Sequence, residues 1–561
     1  MSKNWNLKNI DLEKVNTLMK EYNLNEMLAK LIVSKDIKEN ELEDYIKPSL
    51  SKIRDPFEIK DMDKFVDRVL QAINNKEKVC IYGDYDVDGI TSITVMYKFL
   101  KDLGVDISYY MPNRLTDGYG LNKQAIDEIA QKEKVDLIIT VDCGITAIEE
   151  TKYAKNLGID VIITDHHECS DKLPDAIAVI NPKRKDDESK YKLYAGVGVA
   201  YKCIMALTKT LNLSEDNYLK YLDIVALGTI SDIVPLTGEN RILSKFGLEK
   251  MKTTKNIGLA SLIDLCNMTD LDSSFVSFSL APRINACGRM GKADIAVEMM
   301  LSNIRSKAIV MADKLDELNK ERQNIERGIF EEITKIIEKT NIKNNSSIVL
   351  YSDSWHNGVL GIVASKLVNI YYKPVVLLTM ENSVVRGSSR CPAGFSLYNA
   401  LSDCSDLLEQ FGGHELAAGL TIKEENIEKF KTKFEQICKK QENKFEIETL
   451  NIDVELKTED VNLDTIKTIN SLKPFGQLNN EPLFIIRNLK VNTISTVSMD
   501  KHLKFTLKGD RSNIVAIAFL AGHRRDELVV GDKIDVVGNL TLNRFNGSKS
   551  LQLVLKDFKK V

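Results

Sequence analysis

Three carboxylates fall within five residues in Gly83-Asp84-Tyr85-Asp86-Val87-Asp88-Gly89, directly after the short apolar run Val79–Tyr82. Ionised side chains this close repel one another, and a cation relieves that repulsion. Asp-x-Asp-x-Asp-Gly also opens an EF-hand calcium loop. That loop needs Glu at its twelfth position, where Val95 stands, and it follows a helix, so calcium storage is set aside. Two further apolar runs end in similar chemistry, at Val141-Asp142-Cys143-Gly144 and Thr164-Asp165-His166-His167. Adjacent residues of an extended segment point to opposite sides, so His166 and His167 are expected to do different jobs. Asp232 interrupts the apolar stretch Leu227–Leu236. An ionised Asp there is costly unless paired or metal-bound, the alternative being a helix-ending Asp ahead of Pro235.

Carboxylates joined by one or two imidazoles suit hard to borderline divalent ions, and Mn2+ or Mg2+ fits better than zinc. The nine cysteines never fall into a CxxC spacing, which argues against a zinc knuckle and for a reducing compartment. Two such ions ~3.5 to 4 Å apart can activate water and stabilise both the attacking and the departing oxygen of a phosphodiester. Phosphodiester hydrolysis is therefore the leading chemistry.

These groups lie far apart in the chain, so a scaffold has to gather them. Short β-rich runs alternating with helical segments favour a parallel α/β sheet. Strands are expected at Val79–Tyr82, Asp136–Val141, Asp160–Ile163 and Ile177–Ile180, with helices around Ser92–Leu103, Lys123–Gln131 and Thr146–Leu157. In an open parallel sheet ligands collect outside the carboxyl ends of the strands, so strand ends delivering Asp or His to one edge converge. Farther on, Tyr218–Ile230 reads as a buried helix and Lys292–Thr340 as a long helical connector. A second α/β segment runs from Ser347 to about Cys438, with strands near Ser347–Tyr351 and Val375–Thr379 and a glycine-rich stretch at Phe411–Gly419. Strand runs at Lys504–Leu507, Ile514–Phe519, Lys533–Val537 and Ser550–Leu555 favour a small closed β-barrel.

The 561 residues suggest roughly three to five domains. With 43% hydrophobic and 28% charged residues, several cores can form and wholesale disorder is excluded. No apolar run approaches the ~18 residues that span a bilayer, and Met1–Lys14 lacks a signal-peptide stretch, so a cytoplasmic chain without a membrane role is expected. Lys plus Arg number 77 against 81 for Asp plus Glu, which gives no global signature of nucleic-acid binding. The distribution does: Phe484–Val561 holds 14 Lys or Arg against 7 Asp or Glu, whereas Gln441–Leu483 holds 4 against 9.

The motifs Asp84-Tyr85-Asp86-Val87-Asp88-Gly89, Val141-Asp142-Cys143-Gly144, Asp165-His166-His167 and Gly228-Thr229-Ile230-Ser231-Asp232 resemble the four motifs of the DHH phosphoesterases. Their order and neighbours resemble the branch of that family that degrades single-stranded DNA from its end. Matching segments also include Pro112-Asn113-Arg114, Gly196-Val197-Gly198, Glu239-Asn240-Arg241, Ala281–Met290 and Phe411-Gly412-Gly413-His414, and the similarity extends from about residue 50 to the end. The resemblance implies an α/β fold with a DHH parallel-sheet catalytic domain (55–290). A long helix (291–342) joins it to a DHH-associated α/β domain (343–440). A C-terminal OB-fold β-barrel (441–561) and an N-terminal helical segment (1–54) complete the chain.

The resemblance also implies that Asp86, Asp88, Asp142, His166 and Asp232 hold two Mn2+ or Mg2+ ions, with Asp142 bridging. Asp84 joins them at a place where many relatives have a histidine. His167 would contact the scissile phosphate or assist the leaving oxygen, and Asp165 would orient the imidazoles. Gly387-Ser388-Ser389-Arg390 suits a phosphate such as the 5′ end, and Gly412-Gly413-His414 offers a backbone nest. Arg114, Arg283, Asn285 and Arg289 are further substrate-binding candidates, with surface ion pairs as the ordinary alternative for the arginines. In the barrel Lys501, His502, Lys504, Arg524, Arg525 and Arg544 are strand-contact candidates, and Phe505, Phe519 and Phe545 stacking candidates, although a strand Phe is more often core than platform. Pro474–Pro482 departs from the family pattern in lacking the second glycine and first proline expected at the entry to this domain.

The expected reaction is stepwise 5′-to-3′ release of 5′-mononucleotides in recombination and repair. Single-stranded DNA is the implied substrate, a single-strand-binding protein and a helicase the implied partners, and a monomer the implied state. Two other readings compete with this one. Against a phosphodiesterase for short oligonucleotides or cyclic dinucleotides stands the extra basic barrel. Against a non-catalytic scaffold on a retired nuclease core stands the retention of every acidic and imidazole position in the four motifs.

Overall fold

Five parallel strands carry the first three motifs. They are β1 (Lys78–Gly83), β2 (Asp106–Tyr110), β3 (Leu137–Val141), β4 (Asp160–Thr164) and β5 (Ala178–Ile180), paired in the order β2-β1-β3-β4-β5. β3 is apolar at nearly every position and wholly buried, as a parallel strand covered on both faces must be. β2, Asp-Ile-Ser-Tyr-Tyr, escapes the sequence reading because it is a half-exposed edge strand with little apolar signal. The order reverses between β1 and β3, which opens a crevice beyond their carboxyl ends.

The computed structural model describes residues 3–114, 120–267, 270–381, 383–441, 448–509, 513–545 and 548–561, without the side chains at 133, 343, 544–545 and 548–549. The chain divides into two compact units, Asp55–Asp232 with Phe246–Glu446, and Met1–Arg54 with Ile233–Lys245 and Ile447–Val561.

In the unit that holds the parallel sheet, helix α1 (Val87–Asp102) begins five residues before the expected Ser92. The reason is local: the Asp86 side chain accepts from the backbone N–H of Asp88 (2.9 Å) and Gly89 (3.1 Å), so the acidic turn is itself the N-cap. α2 (Gly196–Thr210) and α3 (Leu222–Ser231) are buried along almost their whole length. α4 (Ala281–Arg289) precedes a separate helix, Asp294–Leu301, and only then comes the 35-residue α5 (Arg305–Lys339). The single connector expected from Lys292 is thus broken at Ser302, whose backbone is extended and whose hydroxyl accepts from Ile304 N–H.

A second sheet in the same unit contains β6 (Ile348–Tyr351), β7 (Val375–Glu381), β8 (Val384–Arg390), β9 (Leu408–Gly413) and β10 (Ala417–Ile422), in the order β9-β10-β8-β7-β6. α6 (Asn357–Tyr371) packs on it. The glycine-rich stretch is the tip of the β9–β10 hairpin, where Gly412 pairs with Gly419 and β9 is an edge.

The other unit is built around five strands, β11 (Phe484–Val497), β12 (His502–Lys508), β13 (Asn513–Ala518), β14 (Lys533–Phe545) and β15 (Ser548–Lys560). They run β11-β12-β13-β15-β14 and close through a β14–β11 pairing, so the barrel has no free edge along this ring. The N-terminal segment is not purely helical: Asn4–Leu7 is a strand paired in parallel with Thr449–Ile452. Leu31 and Ile32 share one apolar core with Phe484, Phe505 and Phe558. Arg241 is buried here, donating to the carbonyls of Tyr45 (2.9 Å) and Leu472 (3.5 Å) and lying 4.1 Å over the Tyr45 ring. The departing loop is closed by the buried Asn479, which donates to Leu472 O and Pro474 O and accepts from the Tyr45 hydroxyl. Side-chain hydrogen bonds thus shape a turn for which a glycine was expected.

Candidate metal centre

Four motifs meet at the crevice. Asp84, Asp86 and Asp88 leave β1, Asp142 leaves β3, Asp165-His166-His167 leaves β4, and Asp232 ends α3. Three groupings of potential ligand atoms lie within 4.8 Å of one another among the described residues: Asp84, Asp86 and Asp142; Asp88, His166 and Asp232; and Asp142, His166 and His167. Asp142 stands in two of them, as a bridging carboxylate would. His166 Nε2 lies 3.1 Å from Asp142 Oδ1, 3.6 Å from Asp232 Oδ2 and 3.8 Å from Asp88 Oδ2.

Backbone features hold each group in place. Asp142 adopts a left-handed φ of 60°, a strained conformation that turns its side chain into the crevice. Asp88 accepts from the N–H of Gly196 (2.6 Å) and Val197 (2.8 Å), so the N-terminus of α2 binds its carboxylate. Close approach explains two glycines. A Cβ on Gly196 would lie 2.6 Å from Asp142 Cβ, and one on Gly228 would lie 2.2 Å from Thr91 Oγ1 and 3.1 Å from Asp88 Oδ1. Gly228→Ala must therefore push α3 away from α1. Overpacking of this kind costs about 1–3 kcal/mol, and the variant is expected to lose both thermal stability in unfolding scans and Mn2+ affinity in titration calorimetry.

The electrostatics describe a site that needs cations. Burial, then the Asp86 charge, pushes the Asp88 carboxyl up to about 7 and the Asp84 carboxyl well above the usual range. Burial and the surrounding carboxylates, Asp88 foremost, do the same to Asp142, and burial with Asp88 lifts Asp232 to about 9. Burial, reinforced by the charge of His167, pushes His166 down to about 3, so it is a neutral ligand. His167 differs: burial would lower it, but the Asp165 carboxylate 2.7 Å from Nδ1 holds it up at about 9. Asp165 also accepts from the backbone N–H of Ile145, His166 and His167, which fixes the turn.

Divalent ions fit these donors. His166 Nε2 and Asp84 Oδ1 are buried polar atoms without a hydrogen-bond partner, facing a set of hard oxygens. The Cys143 thiol, pushed well up by burial, contributes no thiolate.

The substrate candidates divide. Arg114 lies 5.1 Å over the Tyr85 ring, Arg289 donates to Gly358 O (3.2 Å), and Arg390 donates to Ser389 O (2.7 Å). Burial and the charges of Arg114, Arg322 and Arg390 push Arg289 down to about 10, the mark of crowded guanidiniums. None of the three forms an ion pair among the described residues. Ser388 and Arg390 flank the place where a Cβ on Gly361 of α6 would stand, at 3.0 and 2.9 Å. Ser389 points the other way, buried, with its hydroxyl on Ala418 O, because alternate residues of a strand face opposite sides; it is removed from the phosphate set. Arg283 is engaged with Asp316 (2.8 Å), the ion-pair alternative. Asn285 accepts from Val87 N–H (3.3 Å), a contact to the acidic turn rather than to solvent. Gly412, Gly413 and His414 are exposed at the hairpin tip.

In the barrel Phe505 is core, packed 5.5 Å from Phe558, the ordinary place of a strand Phe, and it offers no stacking platform. Phe519 is 54% exposed, with its ring edge-on to His502 at 5.1 Å. Arg524 is paired with Asp557 and Glu527, and Arg525 donates to Leu528 O, whereas Lys501 and Lys504 are exposed. The side chains of Arg544 and Phe545 lie outside the described residues.

Two residues escaped the sequence reading. Tyr85, between Asp84 and Asp86, carries no signal of its own beside the carboxylates. His356 precedes α6, and its buried Nδ1 has no hydrogen-bond partner. Only the signal of a lone Trp-His-Asn-Gly run marked it.

The fold and the cluster define a DHH phosphoesterase. Residues 78–229 match the DHH family N-terminal domain, 344–440 the DHHA1 domain and 452–557 the RecJ OB domain. The chain belongs to the RecJ family. It is 37% identical to the single-stranded-DNA-specific exonuclease RecJ of Bacillus subtilis over 99% of this chain and 70% of that protein. The crystal structure of RecJ in complex with Mn2+ from Thermus thermophilus superposes with a TM-score of 0.86 at 27% identity, covering 100% of this chain and 80% of that one. The Mg2+ complex from the same organism gives 0.80 at 26%, covering 100% and 78%.

Proposed function

We propose that this chain is a single-stranded-DNA-specific exonuclease that removes 5′-mononucleotides in the 5′-to-3′ direction by two-metal phosphodiester hydrolysis. The observation that carries the reading is the gathering of Asp84, Asp86, Asp88, Asp142, His166 and Asp232 around one buried crevice. In this reading those six residues hold the two ions, Mn2+ or Mg2+, which would supply Lewis acidity to both the attacking water and the departing 3′ oxygen. Asp165, 2.7 Å from Nδ1, orients the His167 ring, so His167 can hydrogen-bond a phosphate oxygen or donate a proton to the leaving group. Arg114, Arg289, Arg390 and Ser388 form an anion pocket for the terminal 5′ phosphate.

The assignments 55–290 for the catalytic domain, 291–342 for the connector, 343–440 for the DHH-associated domain and 441–561 for the barrel accompany this reading. Residues 1–54 are assigned as a buttress of the barrel, because they share its core and contribute a strand beside it. The basic barrel suits single strands of any sequence. Among the described residues no helix is long and apolar enough to cross a membrane. A cytoplasmic location, action in recombination and repair, and cooperation with a single-strand-binding protein and a helicase belong to the same proposal.

Digestion of 5′- and 3′-labelled single strands with added Mn2+ tests it: a 5′ label should leave at once as mononucleotide, and blunt duplex should persist. Equal attack on duplex would refute the substrate assignment. The barrel makes a separate forecast. Phe519→Ala removes one stacking surface worth about 1–3 kcal/mol per base. It should weaken binding of long single strands about 5- to 100-fold in anisotropy titrations, while leaving turnover of a dinucleotide unchanged.

A further inference from the structure

Tyr85 meets two groups that have to stay in register. The Arg114 guanidinium lies 5.1 Å from its ring centroid. Gly288 of α4 packs against its backbone carbonyl: a Cβ there would lie 2.5 Å from Tyr85 O and 3.6 Å from ring atom Cδ2. Tyr85 also sits between Asp84 and Asp86, so its backbone, held at the carbonyl by Gly288, is part of the acidic turn. From Gly288 the contacts continue outward. Arg289, the next residue, packs its carbonyl against Gly358, where a Cβ would lie 2.4 Å away, and it donates to Gly358 O. Three residues on, Gly361 opens room for Arg390 and Ser388. An unbroken line of close packing thus joins the acidic turn to the arginine pocket, and close-packed atoms transmit position rather than absorb it.

We propose that Tyr85 is a positioning residue that fixes the spacing between the anion pocket of Arg114, Arg289 and Arg390 and the carboxylate cluster, and so sets where the strand is cut. The inference rests on the reading of that pocket as the seat of the terminal phosphate. A guanidinium held over an aromatic face keeps its donors free for an anion while its direction is constrained, which an aliphatic side chain does not achieve.

The test uses the full chain with Mn2+, comparing Tyr85→Ala, Tyr85→Leu and Tyr85→Phe on single strands that carry a 5′ phosphate or a 5′ hydroxyl. The readouts are kcat and KM separately, the length of the first product, and Mn2+ stoichiometry by calorimetry. The unaltered protein should favour the 5′ phosphate and release mononucleotide. Tyr85→Ala and Tyr85→Leu should reduce that preference at least 10-fold, mainly through KM, and release some dinucleotide, with Mn2+ stoichiometry unchanged. Tyr85→Phe should restore both preference and product length. The proposal is overturned if Ala and Leu lower kcat equally for both ends without altering preference or product, if they lose Mn2+, or if Phe fails to restore. No 5′-phosphate preference in the unaltered protein would instead refute the pocket, and the proposal with it.

Discussion

Asp142→Asn is expected to lower cleavage of single-stranded DNA by about 10³- to 10⁵-fold while leaving strand binding nearly intact. The magnitude follows from position. Asp142 stands in two of the three ligand groupings, so its loss weakens both ions, and ions in such sites supply several kcal/mol of transition-state stabilisation, each ~1.4 kcal/mol being tenfold in rate. Asparagine is the better substitution than alanine because residue 142 has a left-handed φ of 60°, which Asn tolerates and Ala does not. The same variant has an opposite effect on the empty protein. Asp142 is raised by burial and by four other carboxylates, so removing its charge relieves repulsion. Metal-free Asp142→Asn should therefore melt a few degrees higher than the metal-free parent, and unchanged turnover in the variant would refute the two-ion scheme.

The second large effect is on stability through metal and pH. Asp88 and Asp232 have folded values raised to about 7 and about 9, above their ordinary 3.8. The folded state then holds more protons than the unfolded chain between about pH 4 and pH 9, and the slope of unfolding free energy with pH is negative there. His167, raised to about 9 from 6.5, works in the same direction: its contribution is complete below 6.5 and lost as pH rises through 9. Metal-free protein should thus be most stable toward pH 4 and lose several kcal/mol by pH 9. Mn2+ reverses the trend, since deprotonated ligands bind it better. At a thousand times its dissociation constant a ligand adds about 4 kcal/mol, roughly 8 to 16 °C for a domain of this size. Scanning calorimetry with and without chelator at pH 6 and pH 9 checks both signs. A metal-free protein that melts higher at pH 9 would contradict the buried-carboxylate account.

Much of the site could be read in the chain because metal chemistry needs particular residue types at strand ends. Asp84, Asp86, Asp88, Asp142, His166 and Asp232 were visible for that reason, and the structure brings all six to one crevice. The substrate side was less legible. Ser389 and Ser388 are identical in type and adjacent, yet strand alternation turns one into the core and the other toward Arg390. Arg283 and Arg289 share one helix, but Asp316 engages only the first. Phe505 and Phe519 lie in similar apolar runs, but Phe505 stands inside a barrel strand facing the core, whereas the strand ends at Ala518 and leaves Phe519 exposed in the turn beyond it.

Composition and periodicity were sufficient for most of the elements, the edge strand β2 and the break at Ser302 excepted: apolar runs that end in Asp or His, a helix apolar on every side, and alternating strands with a basic balance. They determined that this chain has a parallel sheet, a cation-binding edge and a positively charged barrel, since each follows from local patterns of side chains. Only the tertiary structure decided that residues 3–54 complete the barrel core and that Tyr85 meets both Arg114 and Gly288. Those outcomes depend on which surfaces meet after long loops close, and packing between distant segments leaves no trace in the spacing of neighbours.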